Sequence, residues 1–281
     1  MSDSNAGASM STDCGIILEN LSIGRNGISV AGPLAGRFSG PGLHLILGKA
    51  GAGKTTLLMT LGGFLSPVSG RIAKQGGGEW PQEGKVCLAF QNPENLFFLP
   101  TVGEEVSYAL LARGESLLGA EEIGKAWLTR WGLPAKDFWQ RNPLTLSGGE
   151  KRRVALAACT VFRPPLILLD EPLAGLDREG RESLLAVMNG LSGECLALVV
   201  THDPEPFFPI CKSVLLLDKG LGQFFAAPRA FLKAAILNGD LYPLPTWYKN
   251  ALSGRLESKQ LPWPVAELVF DFLNLFKKKG H

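Results

Sequence analysis

The segment GKAGAGKTT, from Gly48 to Thr56, constrains the fold of this chain more than any other segment. It fits the pattern G-x-x-x-x-G-K-[ST], follows a short apolar run and opens a helical pattern, which is the context that the motif requires. Glycines let backbone N–H groups turn toward phosphate oxygens, and a helix N-terminus adds its positive end. In such a loop Lys54 reaches the β- and γ-phosphates of a nucleotide, and the Thr55 hydroxyl binds Mg²⁺. The predicted phosphate loop consists of Gly48, Lys49, Ala50, Gly51, Ala52, Gly53, Lys54, Thr55 and Thr56.

Short apolar runs recur along the chain, each followed by turn residues, and helical patterns lie between them. The runs are near-continuous rather than alternating, which is typical of strands buried on both faces of a parallel sheet. Strands that alternate with helices predict an α/β fold. The runs are residues 43–47, 86–90, 166–169, 195–200 and 214–217, and the helical patterns are 55–64, 102–112, 121–131, 150–162 and 178–191.

The pattern divides the chain into three parts. Residues 1–14 are polar and small and predict a disordered leader, residues 15–235 form the main domain, and residues 236–281 form a C-terminal helical extension. Within the main domain, residues 92–145 show helical stretches without a strand, so we expect a helical insertion there. The last helical pattern carries an apolar face, which favours packing on its own domain or a sister subunit over binding to a membrane surface. That face comprises Val265, Leu268, Val269, Phe272 and Phe276.

Composition argues against several classes of partner. The net charge is +2 and basic residues are scattered, except at Lys151–Arg153 and Lys277–Lys279, so no nucleic-acid partner is expected. We expect Lys151–Arg153 to lie on the surface.

The five cysteines are far apart and form no C-x-x-C pair, which indicates buried thiols in a reducing compartment. No apolar run approaches the roughly 20 residues that span a bilayer. We therefore predict a cytoplasmic protein that reaches a membrane only through a partner.

Polar side chains follow several of the predicted strands. Asp170 and Glu171 end the run LILLDEP, and two buried carboxylates are costly unless they face a cation or water. Asp170 is expected to hold the Mg²⁺ hydration shell, and Glu171 to polarise the attacking water. Gln91 and His202 follow two other runs. Because ligands bind at the carboxyl ends of parallel strands, we interpret Gln91 as a Mg²⁺ or water ligand and His202 as a γ-phosphate contact.

The segment LSGGEKRRVALA opens with a capping box, in which the Ser147 hydroxyl and the Glu150 carboxylate satisfy the first N–H groups of a helix. A plain cap does not need Gly148 and Gly149, which disfavour a helix by up to about 1 kcal/mol each relative to alanine. Two glycines at a helix N-terminus suit a backbone that closely approaches an anion. Since the phosphate loop is already complete, we expect this second anion site to serve a nucleotide held by another subunit.

These motifs occur in an order that resembles ATP-binding cassette (ABC) ATPases, over about residues 16–232. The order is the phosphate loop, Gln91, LSGGE (146–150), LILLDEP (166–172), AGLD (174–177) and THD (201–203). The resemblance implies an α/β P-loop NTPase with an ABC-type β-subdomain, a parallel-sheet core, an inserted α-helical subdomain and a small C-terminal extension. It implies ATP and Mg²⁺ as ligands and ATP hydrolysis as the activity.

The family also implies a dimer of two cassettes, alike or unlike, that face head to tail and enclose two ATP molecules. Ser147, Gly148, Gly149 and Glu150 would then form the signature that contacts the γ-phosphate of the opposite subunit's ATP. Asp177 would couple the two sites, and Glu171 would be the catalytic base, with His202 beside the γ-phosphate.

Within the family, residues 90–110 and LSGGEKRRVALA are similar to the ATPase subunits of energy-coupling-factor transporters, which import vitamins and transition-metal ions. That similarity implies a transmembrane coupling protein and a substrate-binding membrane protein as partners, and peripheral attachment to the cytoplasmic face of the membrane. The groove at residues 92–105 would receive the coupling helices.

Four positions depart from the family pattern. Arg25 stands where an aromatic residue usually stacks on adenine, and a guanidinium plane can stack on a base instead. Lys49 and Ala50 replace Pro-Asn, and Glu150 replaces the commoner glutamine. The alternative function is a non-transport ABC ATPase, such as the iron–sulfur cluster assembly ATPase, which has a similar SGGEK signature.

Overall fold

The computed structural model describes residues 15–77, 80 and 84–238, and for residues 236–238 only the backbone. The predicted leader, the apolar helix face at 265–276 and nearly all of the predicted extension lie outside these residues. The strands of the described part are β1 (Ile16–Arg25), β2 (Ile28–Phe38), β3 (Gly42–Gly48), β4 (Ser69–Lys74), β5 (Val86–Ala89), β6 (Leu166–Asp170), β7 (Leu196–Val200), β8 (Cys211–Asp218) and β9 (Leu221–Phe225). The helices are α1 (Lys54–Leu61), α2 (Val102–Leu111), α3 (Leu117–Arg130), α4 (Ala135–Phe138), α5 (Gly148–Thr160), α6 (Arg178–Leu191) and α7 (Pro228–Asn238).

A six-stranded sheet forms the core, with strand order β5-β6-β7-β3-β8-β9. The first five strands in that order run parallel, and β9 returns antiparallel to β8. Every residue of β3, β6 and β7 is buried, as expected for strands covered on both faces. The predicted α/β fold with a parallel-sheet core is therefore confirmed.

A second, three-stranded antiparallel sheet has the order β2-β1-β4. It packs on the edge of the core sheet, where the rings of Phe38 and Phe224 meet edge to face with centroids 4.9 Å apart. Gly36 allows this approach, because a Cβ there would lie 2.2 Å from the Phe224 ring. This sheet corresponds to the β-subdomain that the family resemblance implied.

The chain between β5 and β6 is helical, as predicted. Helices α2, α3 and α5 share a core that includes Trp127, Trp131 and Val106. The Thr101 hydroxyl and the Glu104 carboxylate form a capping box at the start of α2. Gly103 lies directly against Trp139, whose ring a Cβ at that position would meet at 2.4 Å. These helices belong to the same hydrophobic cluster as one face of the core sheet, which places α5 beside the sheet.

Two predictions from composition can be compared with the described residues. Cys87, Cys195 and Cys211 are buried free thiols there, as predicted, whereas Cys159 is a free thiol that is only partly buried. Over the same part of the chain, no helix is both long and apolar enough to cross a membrane.

Candidate nucleotide site

The polar residues predicted at strand ends converge on one edge of the core sheet. The phosphate loop follows β3, Gln91 comes shortly after β5, Glu171 follows β6, and His202 comes shortly after β7. Strands β5, β6, β7 and β3 are consecutive neighbours in the sheet and run parallel, so their carboxyl ends share one edge. The sequence-predicted groups therefore come together because of strand order, although they are far apart in the chain.

The phosphate loop leaves its backbone donors free of side-chain caps. Gly53 is the N-cap of α1, with φ +93° and no side-chain hydrogen bond to the first turn. The first N–H groups of α1 are therefore available to an anion. Gly48 is required by close approach, because a Cβ there would lie 2.5 Å from the carbonyl oxygen of Leu217. The loop has the geometry of a phosphate cradle.

The Lys54 side chain folds back over the phosphate loop. Its Nζ donates to the carbonyl oxygens of Gly48 at 2.8 Å and Lys49 at 2.9 Å. Burial lowers the pKa of Lys54, while the nearby carboxylates of Glu171 and Asp170 act in the opposite direction. The ammonium is thus held at the loop, in the position from which it can contact phosphate oxygens.

The Thr55 hydroxyl and the Asp170 carboxylate meet directly. The hydroxyl donates to Asp170 Oδ2 at 2.6 Å, while the Gln91 side chain is exposed near the end of the neighbouring strand β5. Hydroxyl, carboxylate and amide oxygens are the ligands that Mg²⁺ prefers, and Mg²⁺ usually takes few protein ligands besides water and phosphate. Among the described residues, no group of three or more histidine, cysteine or acidic side chains is arranged for a metal ion. The oxygens present fit Mg²⁺ bound together with a nucleotide.

Glu171 sits in an unusual backbone conformation at the end of β6. Its φ of +51° is uncommon for a non-glycine residue, and its N–H donates to the carbonyl of Val200 at 2.9 Å. The side chain is 17% exposed. Burial raises the pKa of this carboxyl, whereas the backbone N–H and the ring of His202 lower it and Asp170 raises it further. A carboxylate whose proton affinity is raised is well suited to act as a general base.

His202 contacts Glu171 through two groups. Its backbone N–H donates to Glu171 Oε2 at 3.1 Å, and its ring Nε2 lies 3.3 Å from Glu171 Oε1. The imidazole is 55% exposed, so it can meet a ligand at the sheet edge. These contacts fix the orientation of the carboxylate relative to the strand ends.

The predicted surface position of Lys151–Arg153 is wrong for two of the three residues. Arg152 and Arg153 are 3% and 5% exposed, because the helical period of α5 turns both toward the interior. Arg153 Nη1 contacts the carbonyls of Trp131 and Gly132 and the carboxylate of Glu179. Arg152 contacts the loops after β5 and β6. Sequence reasoning missed both residues, because charged side chains are rarely buried.

The signature segment opens α5 as the capping box predicts. The Ser147 hydroxyl accepts from the Glu150 N–H at 3.4 Å, and Glu150 Oε2 accepts from the Ser147 N–H at 2.8 Å. That backbone hydrogen bond is the main cause of a lowered pKa of Glu150. A Cβ on Gly148 would meet no atom within 4 Å, and one on Gly149 would meet only the Gly175 carbonyl at 3.7 Å. Packing inside the subunit therefore does not require either glycine.

Two remaining predicted residues lie outside this convergence. Asp177 is the N-cap of α6, where its Oδ1 accepts from the Gly180 N–H at 2.8 Å. Arg25 ends β1 and lines a cavity of about 570 Å³ together with Met59 and residues 65–68. Its Nη2 lies 3.7 Å from the Met59 sulfur. Within the described part of the chain, no hydrogen bond or ion pair connects Ser147–Gly149 with the phosphate loop.

This chain is similar in sequence to known proteins of one family. A family model described as ABC transporter matches residues 38–174. The chain is 33% identical over 247 residues to the energy-coupling factor transporter ATP-binding protein EcfA2 of Leuconostoc mesenteroides, a match that covers 84% of this chain and 79% of that protein. It is 38% identical over 210 residues to the cobalt import ATP-binding protein CbiO of Rhodobacter capsulatus, covering 70% of this chain and 74% of that protein.

Solved structures share the fold. The structure of cbiO1 from Clostridium perfringens, described as part of the ABC transporter complex cbiONQ, superposes with a TM-score of 0.66 at 24% identity. The superposition covers 80% of this chain and 95% of that one.

Proposed function

This chain belongs to the ABC transporter ATPases, and we propose that it is the ATP-hydrolysing subunit of a membrane importer of the energy-coupling-factor type. Hydrolysis itself is the activity of the family. The cargo class, a metal ion or vitamin, and the membrane partners are part of the proposal. The observation that supports it most is the convergence of the phosphate loop, Asp170, Glu171 and His202 at one edge of the sheet.

We propose a role for each site residue. The uncapped N–H groups of α1 and the Lys54 ammonium bind the phosphates, and Arg25 contacts the base. Thr55, Gln91 and Asp170 would hold Mg²⁺, which would supply positive charge to the phosphate oxygens. Glu171 accepts the proton of the attacking water, and His202 orients Glu171 and contacts the γ-phosphate.

We propose that a second cassette completes the site, because packing inside the described part of the subunit requires neither signature glycine. Gly148 and Gly149 are accessible, and no neighbouring atom of this chain would meet a Cβ on Gly148. A backbone that is open at a helix N-terminus is suited to an anion that comes from outside. We propose that this anion is the γ-phosphate of ATP on the other subunit, and that Asp177 at the start of α6 couples the two sites.

Docking to a membrane partner is supported by four exposed apolar side chains that follow or adjoin Gln91 in the chain, Phe90, Leu96, Phe98 and Tyr108, of which the Phe98 and Tyr108 rings are in contact. Leu96 and Phe98 are each 64% exposed. The loop that carries them is fixed, since Glu105 Oε1 accepts from the N–H groups of Phe98 and Leu99 at 2.6 Å. Exposed aromatic and leucine side chains on an ordered loop mark an interaction site. We propose that the coupling protein binds here and holds the chain at the cytoplasmic face of the membrane.

The test is to solubilise membranes that contain the chain and to identify what co-purifies with it. We expect an integral membrane protein in the complex, and we expect Phe98→Asp to release the chain from it while ATP binding is retained. Leu117→Asp is the matched control, because Leu117 is 70% exposed at the start of α3, away from Gln91 in the chain. Isolation from the cytosol with iron–sulfur assembly factors, and with no membrane partner, would instead favour the non-transport function.

A further inference from the structure

The buried guanidinium of Arg152 joins the two loops that carry Gln91 and Glu171. Arg152 lies in the second turn of α5, and its side chain is 3% exposed. Its Nη1 donates to the carbonyl of Gln91, and its Nη2 donates to the carbonyl of Glu171 at 2.6 Å. One side chain of α5 therefore binds the backbone of the two loops that follow β5 and β6, which are neighbouring strands of the core sheet.

The remaining contacts of Arg152 leave little freedom for the guanidinium. Its Nε lies 3.4 Å from the carbonyl of Pro172, and Nη1 lies 3.5 Å from Glu94 Oε2. A buried charge is tolerated when it is paired and hydrogen-bonded, and here one carboxylate and three carbonyls fulfil that condition. A lysine offers a single ammonium without a planar fork, so it cannot reach the same acceptors together.

The backbone of Glu171 needs such support. A non-glycine residue at positive φ persists when surrounding contacts over-determine its conformation. The N–H of Glu171 donates to the Val200 carbonyl at 2.9 Å, and its carbonyl accepts from Arg152 at 2.6 Å and from the Ala174 N–H at 3.1 Å. If the contact with Arg152 is lost, the shorter and charge-assisted of the two hydrogen bonds to this carbonyl is gone, and the carboxylate is held less firmly.

We propose that Arg152 is a positioning residue that makes the catalytic geometry of Gln91 and Glu171 depend on the position of α5. This inference rests on the proposed function, because the N-terminus of α5 carries the signature that meets the opposite subunit's ATP. Arg152 lies about 6 Å along the helix axis from Gly148, at 1.5 Å per residue. A helix is rigid over that distance, so a shift of the signature toward a phosphate carries the guanidinium with it. Binding of ATP at one site is thereby transmitted to the base of the other.

The experiment compares Arg152→Lys with the wild-type full-length chain in three measurements. These are ATP affinity from a fluorescent ATP analogue, kcat for ATP hydrolysis, and the thermal unfolding midpoint. We expect ATP affinity within about twofold of wild type and a kcat at least tenfold lower, since a small misplacement of catalytic groups costs about that much or more. Lys151→Met, on the same helix and half-buried, is the control and should keep the wild-type kcat.

A wild-type kcat in Arg152→Lys would overturn the inference. A parallel loss of kcat, ATP affinity and unfolding midpoint would also overturn it, because Arg152 would then only support packing. If Arg152→Lys does not fold, Arg152→Gln decides the question, since the shorter glutamine side chain cannot donate to the carbonyls of both Gln91 and Glu171. A lower kcat at unchanged ATP affinity supports the inference, and an unchanged kcat refutes it. The wild-type turnover tests the proposed function, while the ratio of variant to wild type tests Arg152.

Discussion

The Thr55 hydroxyl donates a 2.6 Å hydrogen bond to Asp170 Oδ2, across 115 residues of sequence. The two residues belong to separate motifs, one after β3 and the other at the end of β6. They meet because β3 and β6 flank β7 in the same parallel sheet. A hydroxyl and a carboxylate are therefore in contact beside the phosphate loop, where both oxygens could bind a cation.

Replacing Asp170 with asparagine should lower the affinity of the site for Mg²⁺ without lowering its affinity for ATP. The amide keeps the shape of the side chain but removes the negative charge that attracts the cation. We expect ATP affinity in EDTA within about twofold of wild type, and a Mg²⁺ concentration for half-maximal turnover that is at least tenfold higher. Asp203→Asn is the control, because Asp203 is an exposed carboxylate that pairs with Arg181 at 3.0 Å. An unchanged Mg²⁺ requirement in Asp170→Asn would remove Asp170 from the metal site.

Glu171→Gln should separate ATP binding from hydrolysis. Glutamine keeps a side-chain oxygen that can accept from the His202 N–H but cannot take a proton from water, so kcat should fall by about a hundredfold or more. With hydrolysis blocked, two cassettes should remain closed around ATP. Size-exclusion chromatography with ATP and Mg²⁺ should then show a dimer. A variant that stays monomeric with ATP, or that keeps full turnover, would contradict the assigned base or the proposed dimer.

Alanine at Gly148 should impair turnover without destabilising the subunit. A Cβ there meets no atom within 4 Å, and alanine favours a helix over glycine by up to about 1 kcal/mol. We therefore expect an unchanged or slightly higher unfolding midpoint and a kcat at least about tenfold lower, because the methyl group blocks the approach of the opposite subunit's phosphate. Gly190→Ala in α6 is the control, since a Cβ on Gly190 also meets no atom within 4 Å. Full turnover in Gly148→Ala would mean that the phosphate does not approach this backbone.

The core sheet and the polar side chains at its carboxyl edge were predictable from the sequence, because buried parallel strands are near-continuous apolar runs. The antiparallel strands β1 and β2 are not continuous apolar runs. Three register shifts in their pairing also disturb the alternation of buried and exposed residues. Only the family resemblance indicated that sheet.

Arg152 was misplaced for a different reason. The run Lys151–Arg153 reads as a solvated face, and nothing local shows that three carbonyls from distant loops surround the second of its residues.

Tyrosine at position 25 should tighten the binding of ATP. Arg25 is exposed at the end of β1, and a guanidinium plane stacks on a base less extensively than an aromatic ring does. We expect the KM values of the wild type for ATP and for GTP to lie within about threefold of each other. Arg25→Tyr should lower both KM values by about fivefold, because the tyrosine ring stacks on the base. Arg71→Tyr serves as the control, because Arg71 lies on β4 in an exposed ion pair with Glu19. Unchanged KM values in Arg25→Tyr would place the base elsewhere.

The stability of the chain should fall as the pH is lowered through the range in which an unfolded histidine is protonated. His44 is 1% exposed on β3, and its Nδ1 lies 2.7 Å from the Ser213 hydroxyl. Burial lowers the pKa of His44 from 6.5 to about 4, because the charged imidazolium is poorly solvated there. Between these two values the unfolded chain binds more protons than the folded chain, so the free energy of unfolding decreases as the pH falls.

This contribution amounts to about 1 kcal/mol between pH 7.5 and pH 5.5, since each pKa unit corresponds to about 1.4 kcal/mol. Urea unfolding at the two pH values measures it. Between pH 7.5 and pH 5.5, we expect the free energy of unfolding of the wild type to fall by about 1 kcal/mol more than that of His44→Gln, because glutamine binds no proton in this range. Ser213→Ala should be less stable at both pH values but should keep the wild-type difference, because His44 remains buried. Equal losses in the wild type and in His44→Gln would show that other groups determine the acid sensitivity of the fold.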